Sequence, residues 1–220
     1  MNIVEPYAKL IDLPDREAGV RLLQKIEAFA RISHRSEDAQ TDVSWERFVA
    51  AVVLNHGDWS VVECVSIAVE MYVDRGVTHE VVRHRHFSFV QESTRFVNYQ
   101  KKIGLNFISP FDVEDDYVNY CIWKSAMESA EYNYAALVNS GVPPQLARSV
   151  LPNSLASRLT VYGNLRNWRH FFLMRCSKET HPQLRQITEP LLLDFKSKIP
   201  LLFDDIEPNK TQRENLRLPR

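Results

Sequence analysis

The chain has 220 residues, 45% of them apolar, with six glycines and eleven prolines, enough for one large core or two modest ones. Lysine plus arginine number 27 against 28 aspartate plus glutamate, a formal charge of −1, which excludes a general attraction for long nucleic acids. No apolar stretch approaches the roughly 20 residues that cross a bilayer and the N-terminus lacks a leader-like pattern, so a soluble cytoplasmic protein with no membrane or nucleic-acid partner is expected.

In chain order, a short strand is expected over residues 3–10, then a turn at Pro14-Asp15. Val20, Leu23, Ile26, Phe29 and Ala30 recur at helical spacing and predict a helix over 16–30. The polar stretch 33–41 reads as a loop, either over a pocket or simply connecting helices. A second helix is expected over 45–54, capped by Ser44 and stopped near Gly57. Val65, Ile67, Val69, Met71 and Val73 then alternate with more polar neighbours, the period of a half-buried strand.

Asp74 and Gly76 mark a turn, and Thr78 is expected to cap a short helix running to Val82 and towards Arg83. The segment Arg83-His84-Arg85-His86-Phe87-Ser88-Phe89-Val90-Gln91-Glu92-Ser93-Thr94-Arg95 reads as a turn followed by extended chain. If Ser93 and Arg95 both lie on that strand, they project to one face. Pro110 closes a strand-like stretch, and residues 112–116 lead acidically into a long helix with Val118, Ile122, Ala126, Ala130, Tyr134 and Leu137 on its apolar side. Gly141 and the prolines after it end that helix. Residues 159–162 read as a strand, with Gly163-Asn164 turning into a helix that carries Trp168, Phe171, Phe172 and Met174. The whole is expected to be one mixed α/β (α+β) domain, residues 1–220.

Three guanidiniums, two imidazoles and two serine hydroxyls within thirteen positions, in a chain of near-zero net charge, point to a small anionic ligand. Arginine suits phosphate because its planar fork donates two hydrogen bonds at once. A solvated surface patch, with charge consumed by Glu80 or Glu92, is the bland alternative. His84 and His86 lack a nearby cysteine or carboxylate to complete a first shell, so no metal site is expected. His56 and Asp58 are candidates for a polar pair. Cys64, Cys121 and Cys176 have neither zinc spacing nor disulfide density and are expected as reduced thiols. No glycine-rich nucleotide fingerprint or phosphate-loop lysine is present, which disfavours a Rossmann fold without excluding a flavin held by another architecture.

The thirteen-residue segment, with Arg-His-Arg, Ser88, Ser93 and Arg95 at their fixed spacings, resembles the signature of the flavin-dependent thymidylate synthases. The resemblance extends through residues 30–33, Ser60 with Glu63, the 146–152 segment and 163–175, spanning approximately 16–186. It implies a single α/β domain of that type, unlike the Rossmann fold, assembled as a homotetramer with shared active sites. It also implies reductive methylation of dUMP to dTMP, with FAD as cofactor, NADPH as reductant and the folate 5,10-methylenetetrahydrofolate as one-carbon donor. The substrate set implied is Glu80, Arg83, Gln91, Glu92, Ser93, Thr94, Arg95, Arg148 and Arg175, with Arg175 also the catalytic contact to the pyrimidine. The flavin set implied is Ser33, Ser60, Glu63, His84, Arg85, His86, Asn164, Arg166 and His170. A flavin- or nucleotide-binding homologue without synthase activity is the alternative, and a noncatalytic interaction protein with an arginine patch is a third reading.

Overall fold

A computed structural model describes residues 1–99, 104–211 and 214. The fold is mixed α/β. Strands β2 (Tyr7–Leu10), β3 (Ser66–Asp74), β6 (Ala156–Asn164) and β4 (Ser88–Gln91) form a sheet in the order β2-β3-β6-β4. A second sheet pairs β1 (Asn2–Ile3) in parallel with β5 (Asn106–Phe107), Asn2 opposite Asn106. The strand expected over 3–10 is therefore two strands, interrupted at Pro6, which has no N–H to offer a ladder. The chain divides into two compact units.

The first unit comprises Met1–Tyr7, Glu70–His84 and Phe89–Thr160. Helix α3 (Arg75–Val81) starts three residues before its expected cap. Asp74, with extended backbone, accepts the Val77 N–H at 2.9 Å and is the true N-cap. Thr78 is instead fully buried inside the helix, its hydroxyl donating to the Arg75 carbonyl at 2.9 Å. The long helix α4 (Tyr117–Asn139) is capped by Asp116, whose carboxylate accepts the Val118 and Asn119 N–H groups.

The expected apolar face of α4 holds at Tyr134 and Leu137 and is corrected towards the helix start. Val118 and Ile122 are each 65% exposed, while Trp123, Met127 and Tyr134 turn inward with Leu137 and Val138. Those residues pack with Leu105, Phe107, Ala147 and Leu155, so the tryptophan, methionine and tyrosine, rather than the smaller residues, set the rotation of the helix. Helix α5 (Pro144–Ala147) follows, with proline at its first position.

The second unit comprises Ala8–Val69, Arg85–Ser88 and Val161–Arg220. Helix α1 (Arg16–Ile32) is capped by Asp15, which accepts the Ala18 N–H, and buries Leu23, Ile26, Ala30 and the Glu27 carboxylate. Glu27 is held by Arg31 at 2.6 Å and by the Ser44 hydroxyl at 2.9 Å. Ser44 thus serves that buried acid and is not the expected cap; it is the first residue of α2 (Ser44–Phe48), which widens into a π-helix over Val49–Asn55. Gly57, at φ +89°, takes the chain out of it.

Gly163 lies within β6 rather than in a turn, and glycine is required there because a Cβ would sit 2.1 Å from a ring carbon of Phe87. Phe87 in turn stacks on Trp168 and Phe171, centroids 4.6 and 6.0 Å away, in a cluster continued by Phe172, Phe195 and Phe203. Helix α6 (Leu165–Arg175) begins immediately after Asn164, which caps it by accepting the Asn167 N–H at 2.8 Å. Helix α7 (Pro182–Lys198) had no counterpart among the expected elements; it buries Leu184, Ile187, Leu191, Leu192 and Phe195.

Candidate functional site

In the first unit, two segments distant in sequence are tied together. Thr94 is buried, and its hydroxyl accepts from Arg148 Nη1 at 3.2 Å; Arg95 Nε donates to Gln145 Oε1 at 3.3 Å. Ser93 and Arg95 do not share a strand face, since β4 ends at Gln91 and residues 94–96 form a turn in which Ser93 Oγ accepts the Arg95 N–H. The turn places Arg95 over the Phe96 ring, 5.2 Å from its centroid. Arg83, just beyond α3, is also exposed, and its N–H donates to the Glu80 carbonyl. Among the described residues Arg83, Arg95 and Arg148 have no carboxylate partner. The partners of Arg95 and Arg148 are hydroxyl, amide and aromatic groups, which orient a guanidinium without neutralising it, so the charge stays available to an anion.

Gln91 and Glu92 point to different neighbours. The Gln91 amide nitrogen lies 3.0 Å from Thr78 Oγ1 and 3.4 Å from Ser157 Oγ, both on fully buried residues. The Glu92 carboxylate accepts the Tyr99 hydroxyl at 2.8 Å and borders a cavity of about 530 Å³ with Tyr72, Asn106 and Arg158. Burial, reinforced by this bond to Glu92, pushes the Tyr99 hydroxyl well above the ordinary tyrosine range, so it remains a proton donor.

In the second unit, Arg166 is paired with Glu63, and the Asn167 amide donates to the His86 carbonyl at 3.0 Å. His86, His170 and Arg175 are near enough to interact. Partial burial lowers the His170 pKa first, and electrostatic interaction with His86 and Arg175 lowers it further. The imidazole is therefore neutral at neutral pH, able both to donate and to accept. Arg85 and Ser60 are exposed.

Ser33 closes α1, its hydroxyl donating to the Ala30 carbonyl at 2.7 Å, and lines a cavity of about 720 Å³. Arg31 and Arg47 give this cavity cationic groups, His34 gives it an imidazole, Phe48, Val52 and Val61 give it apolar surface, and the π-helix forms part of its wall. His56 and Asp58, at 3.3 Å, form the expected pair on its border. The stretch 33–41 thus contributes to a pocket wall through Ser33, His34, Ser36 and Ala39. Cys176 is buried with its thiol pushed up to about 12, mainly by burial, and so is not a ready nucleophile.

Sequence reasoning read Thr78 only as a helix cap and did not find Ser157, Gln145 or Asn167; these are the residues that hold Gln91, Arg95 and His86. None belongs to a recognisable motif, and their contacts span from 13 to 81 positions.

Fold and residues together define a mixed α/β protein with an arginine-bearing turn in its first unit and a histidine–arginine group in its second. The solved structure of a UMP/dUMP methylase, PolB from Streptomyces cacaoi, bound with 5-Br dUMP, has the same fold, with TM-score 0.74, 22% identity, and coverage of 93% of this chain and 96% of that one. A family model described as thymidylate synthase complementing protein matches residues 21–201. The flavin-dependent thymidylate synthase of Geobacter sulfurreducens is 30% identical over 202 residues, 91% of this chain and 86% of the relative. That of Corynebacterium efficiens is 35% identical over 150 residues, covering 61% of this chain and about 59% of the relative's length. The chain belongs to this family, that of the flavin-dependent thymidylate synthases.

Proposed function

We propose that this chain catalyses the reductive methylation of dUMP to dTMP, with FAD as bound cofactor, 5,10-methylenetetrahydrofolate as one-carbon donor and NADPH as reductant. The observation that carries the reading is the tethering of Thr94 and Arg95 to Arg148 and Gln145, which leaves two oriented, uncompensated guanidiniums together. Arg95 and Arg148, with Arg83 and the Ser93 and Thr94 hydroxyls, bind the nucleotide phosphate. Glu80 and Glu92 are assigned to substrate as residues that orient cations, and Gln91 to the base. Arg175 contacts the pyrimidine and stabilises negative charge developing on its ring.

The second unit has groups suited to a flavin. Its 720 Å³ cavity combines apolar wall with hydroxyl and cationic groups, a chemistry that fits a fused aromatic ring with polar edges. Ser33 and Ser60 supply hydrogen-bonding groups, Arg85, His86 and Arg166 supply positive or donor groups, Glu63 fixes Arg166, and Asn164 sets the start of the helix carrying His170. His84 is assigned to the same role. When bound, the flavin supplies the reducing electrons and takes part in one-carbon transfer.

Residues 1–220 act as one synthase domain in a homotetramer with shared active sites; the family match, which runs through segments of both units, supports the single functional domain. Cytoplasmic work is consistent with nucleotide and folate substrates, and among the described residues no helix is long and apolar enough to cross a membrane.

The test is a complete turnover assay with flavin absorbance followed in the same sample. Formation of dTMP that requires dUMP, folate and reductant supports the reading. Bound flavin and bound dUMP without product favour the homologue lacking synthase activity. Light scattering tests the tetramer.

A further inference from the structure

We propose that the outward face of α4 is a docking surface for a second copy of this chain, the two helices lying antiparallel across a two-fold axis. The contact is separate from the sharing of active sites, which must bring site residues together; this face holds none of them.

Helix α4 has two unlike faces. Met127 and Tyr134, with Trp123 and Leu137, turn to the core. On the opposite side Val118, Ile122, Ser125, Ser129, Tyr132 and Ala136 are all exposed, Val118 and Ile122 at 65% and Tyr132 at 74%. Their spacing alternates four and three residues, the repeat that keeps one stripe of a helix turned towards a partner helix. The stripe runs for about 27 Å at a rise of about 1.5 Å per residue. It contains no charge, whereas the solvent side of a surface helix is normally rich in charged residues. Large apolar groups gathered in one stripe, rather than scattered singly, mark an interaction surface.

The occupant follows from the fact that the stripe is complementary to itself. Turned end for end about the level of Met127, it sets Val118 beside the partner copy's Ala136, Ile122 beside its Tyr132 and Ser125 beside its Ser129. The smallest side chains fall at the axis, where two crossing helices come closest, and the larger ones fall where the helices diverge. Next to Ala136 lies a cavity of about 480 Å³, lined also by Asn133, Leu137, Ser140 and Val150. Val118, exposed at the other end of the stripe, is the residue that the two-fold operation brings to it. Such an interface is isologous, each copy giving and receiving the same contacts. The stripe presents about 500 Å² per copy and so about 1,000 Å² in the pair, where specific interfaces begin.

The experiment is light scattering coupled to size exclusion, on the full chain over a range of concentrations. It compares the parent with Ile122→Lys, Tyr132→Glu and the double variant carrying both substitutions. Each single substitution sets an unpaired charge against an apolar group and should lower the mass to half the parent's or less. In the double variant the introduced lysine of one copy faces the introduced glutamate of the other, twice in each pair, and the parent mass should return. The two positions lie too far apart along one helix to pair within a copy. Both are exposed, so melting midpoints close to the parent's are expected throughout.

A parent mass matched by either single variant across the whole range overturns the inference. So does a double variant that stays dissociated, which would mean that the face takes a different partner or a parallel copy. The expected mass pattern in a parent that forms no dTMP supports the contact and overturns the synthase proposal instead.

Discussion

Gly163→Ala tests how the aromatic cluster supports the histidine segment. The added methyl carbon would lie 2.1 and 2.4 Å from two ring carbons of Phe87, well inside contact distance. The ring cannot give way freely, because Phe87 is only 7% exposed and is stacked against Trp168 and Phe171. Overpacking of this kind costs about 1–3 kcal/mol. For a chain of this size each kcal/mol lowers the melting midpoint by about 2–4 °C, so a fall of about 2–12 °C is expected. Phe87 follows His86, whose carbonyl is held by Asn167, so flavin retention should weaken as well. The assay is thermal unfolding with flavin absorbance, run as a double-mutant cycle with Phe87→Leu. A smaller ring substitute should absorb part of the cost, giving a favourable coupling term. An unchanged midpoint in Gly163→Ala, or strictly additive effects in the cycle, would refute the steric reasoning.

Arg148→Ala should weaken dUMP binding by about 2 kcal/mol, roughly thirtyfold, through loss of a charge-assisted contact, and calorimetry giving unchanged affinity would reject that role. His170 should titrate below the ordinary histidine value when followed by NMR. Because its folded pKa is lowered, the unfolded chain binds more protons between the two values, so this residue's contribution to stability is present above the ordinary value and is lost as pH falls through that window. Glu27→Gln leaves the largely buried Arg31 without its acid and should destabilise by about 3 kcal/mol in denaturant titration. Alkylation followed by mass spectrometry at mildly alkaline pH should label exposed Cys64 and Cys121 well before buried Cys176.

Strong periodicity made several elements legible. The alternation from Val65 to Val73 became β3, the spacing from Val20 to Ala30 became α1, and Asp112–Asp116 did lead into a long helix. What failed did so where tertiary contacts choose between locally equal options. Asp74 and Thr78 are both respectable caps in isolation; burial of Thr78 against Gln91 decides between them. Along α4, apolar residues occur on more than one side, and packing of Trp123, Met127 and Tyr134 selects the buried one. Helix α7 was concealed by Pro190 in its interior, although Leu184, Ile187, Leu191 and Phe195 keep helical spacing.

The candidate site was legible where a residue type carries its own chemistry. The resemblance put Thr94 and Arg95, from the signature, in one substrate set with Arg148, from the 146–152 segment, and in the structure Thr94 is tied to Arg148 and Arg95 to Gln145. The same signature did not distinguish Gln91 from Glu92, adjacent residues whose side chains meet different partners, because that divergence follows from the end of β4 and the position of Tyr99.

Gly19 has a consequence at the opposite end of its helix. A methyl group there would stand 1.9 Å from the carbonyl oxygen of Lys198, so the last turn of α7 rests directly on the first turn of α1. Helix α1 ends at Ser33 on the pocket wall, and its root is gripped by backbone from a part of the chain almost 180 positions later. Any larger residue at 19 would act as a wedge under this lever, and its effect should be read at the pocket rim as much as in the melting curve.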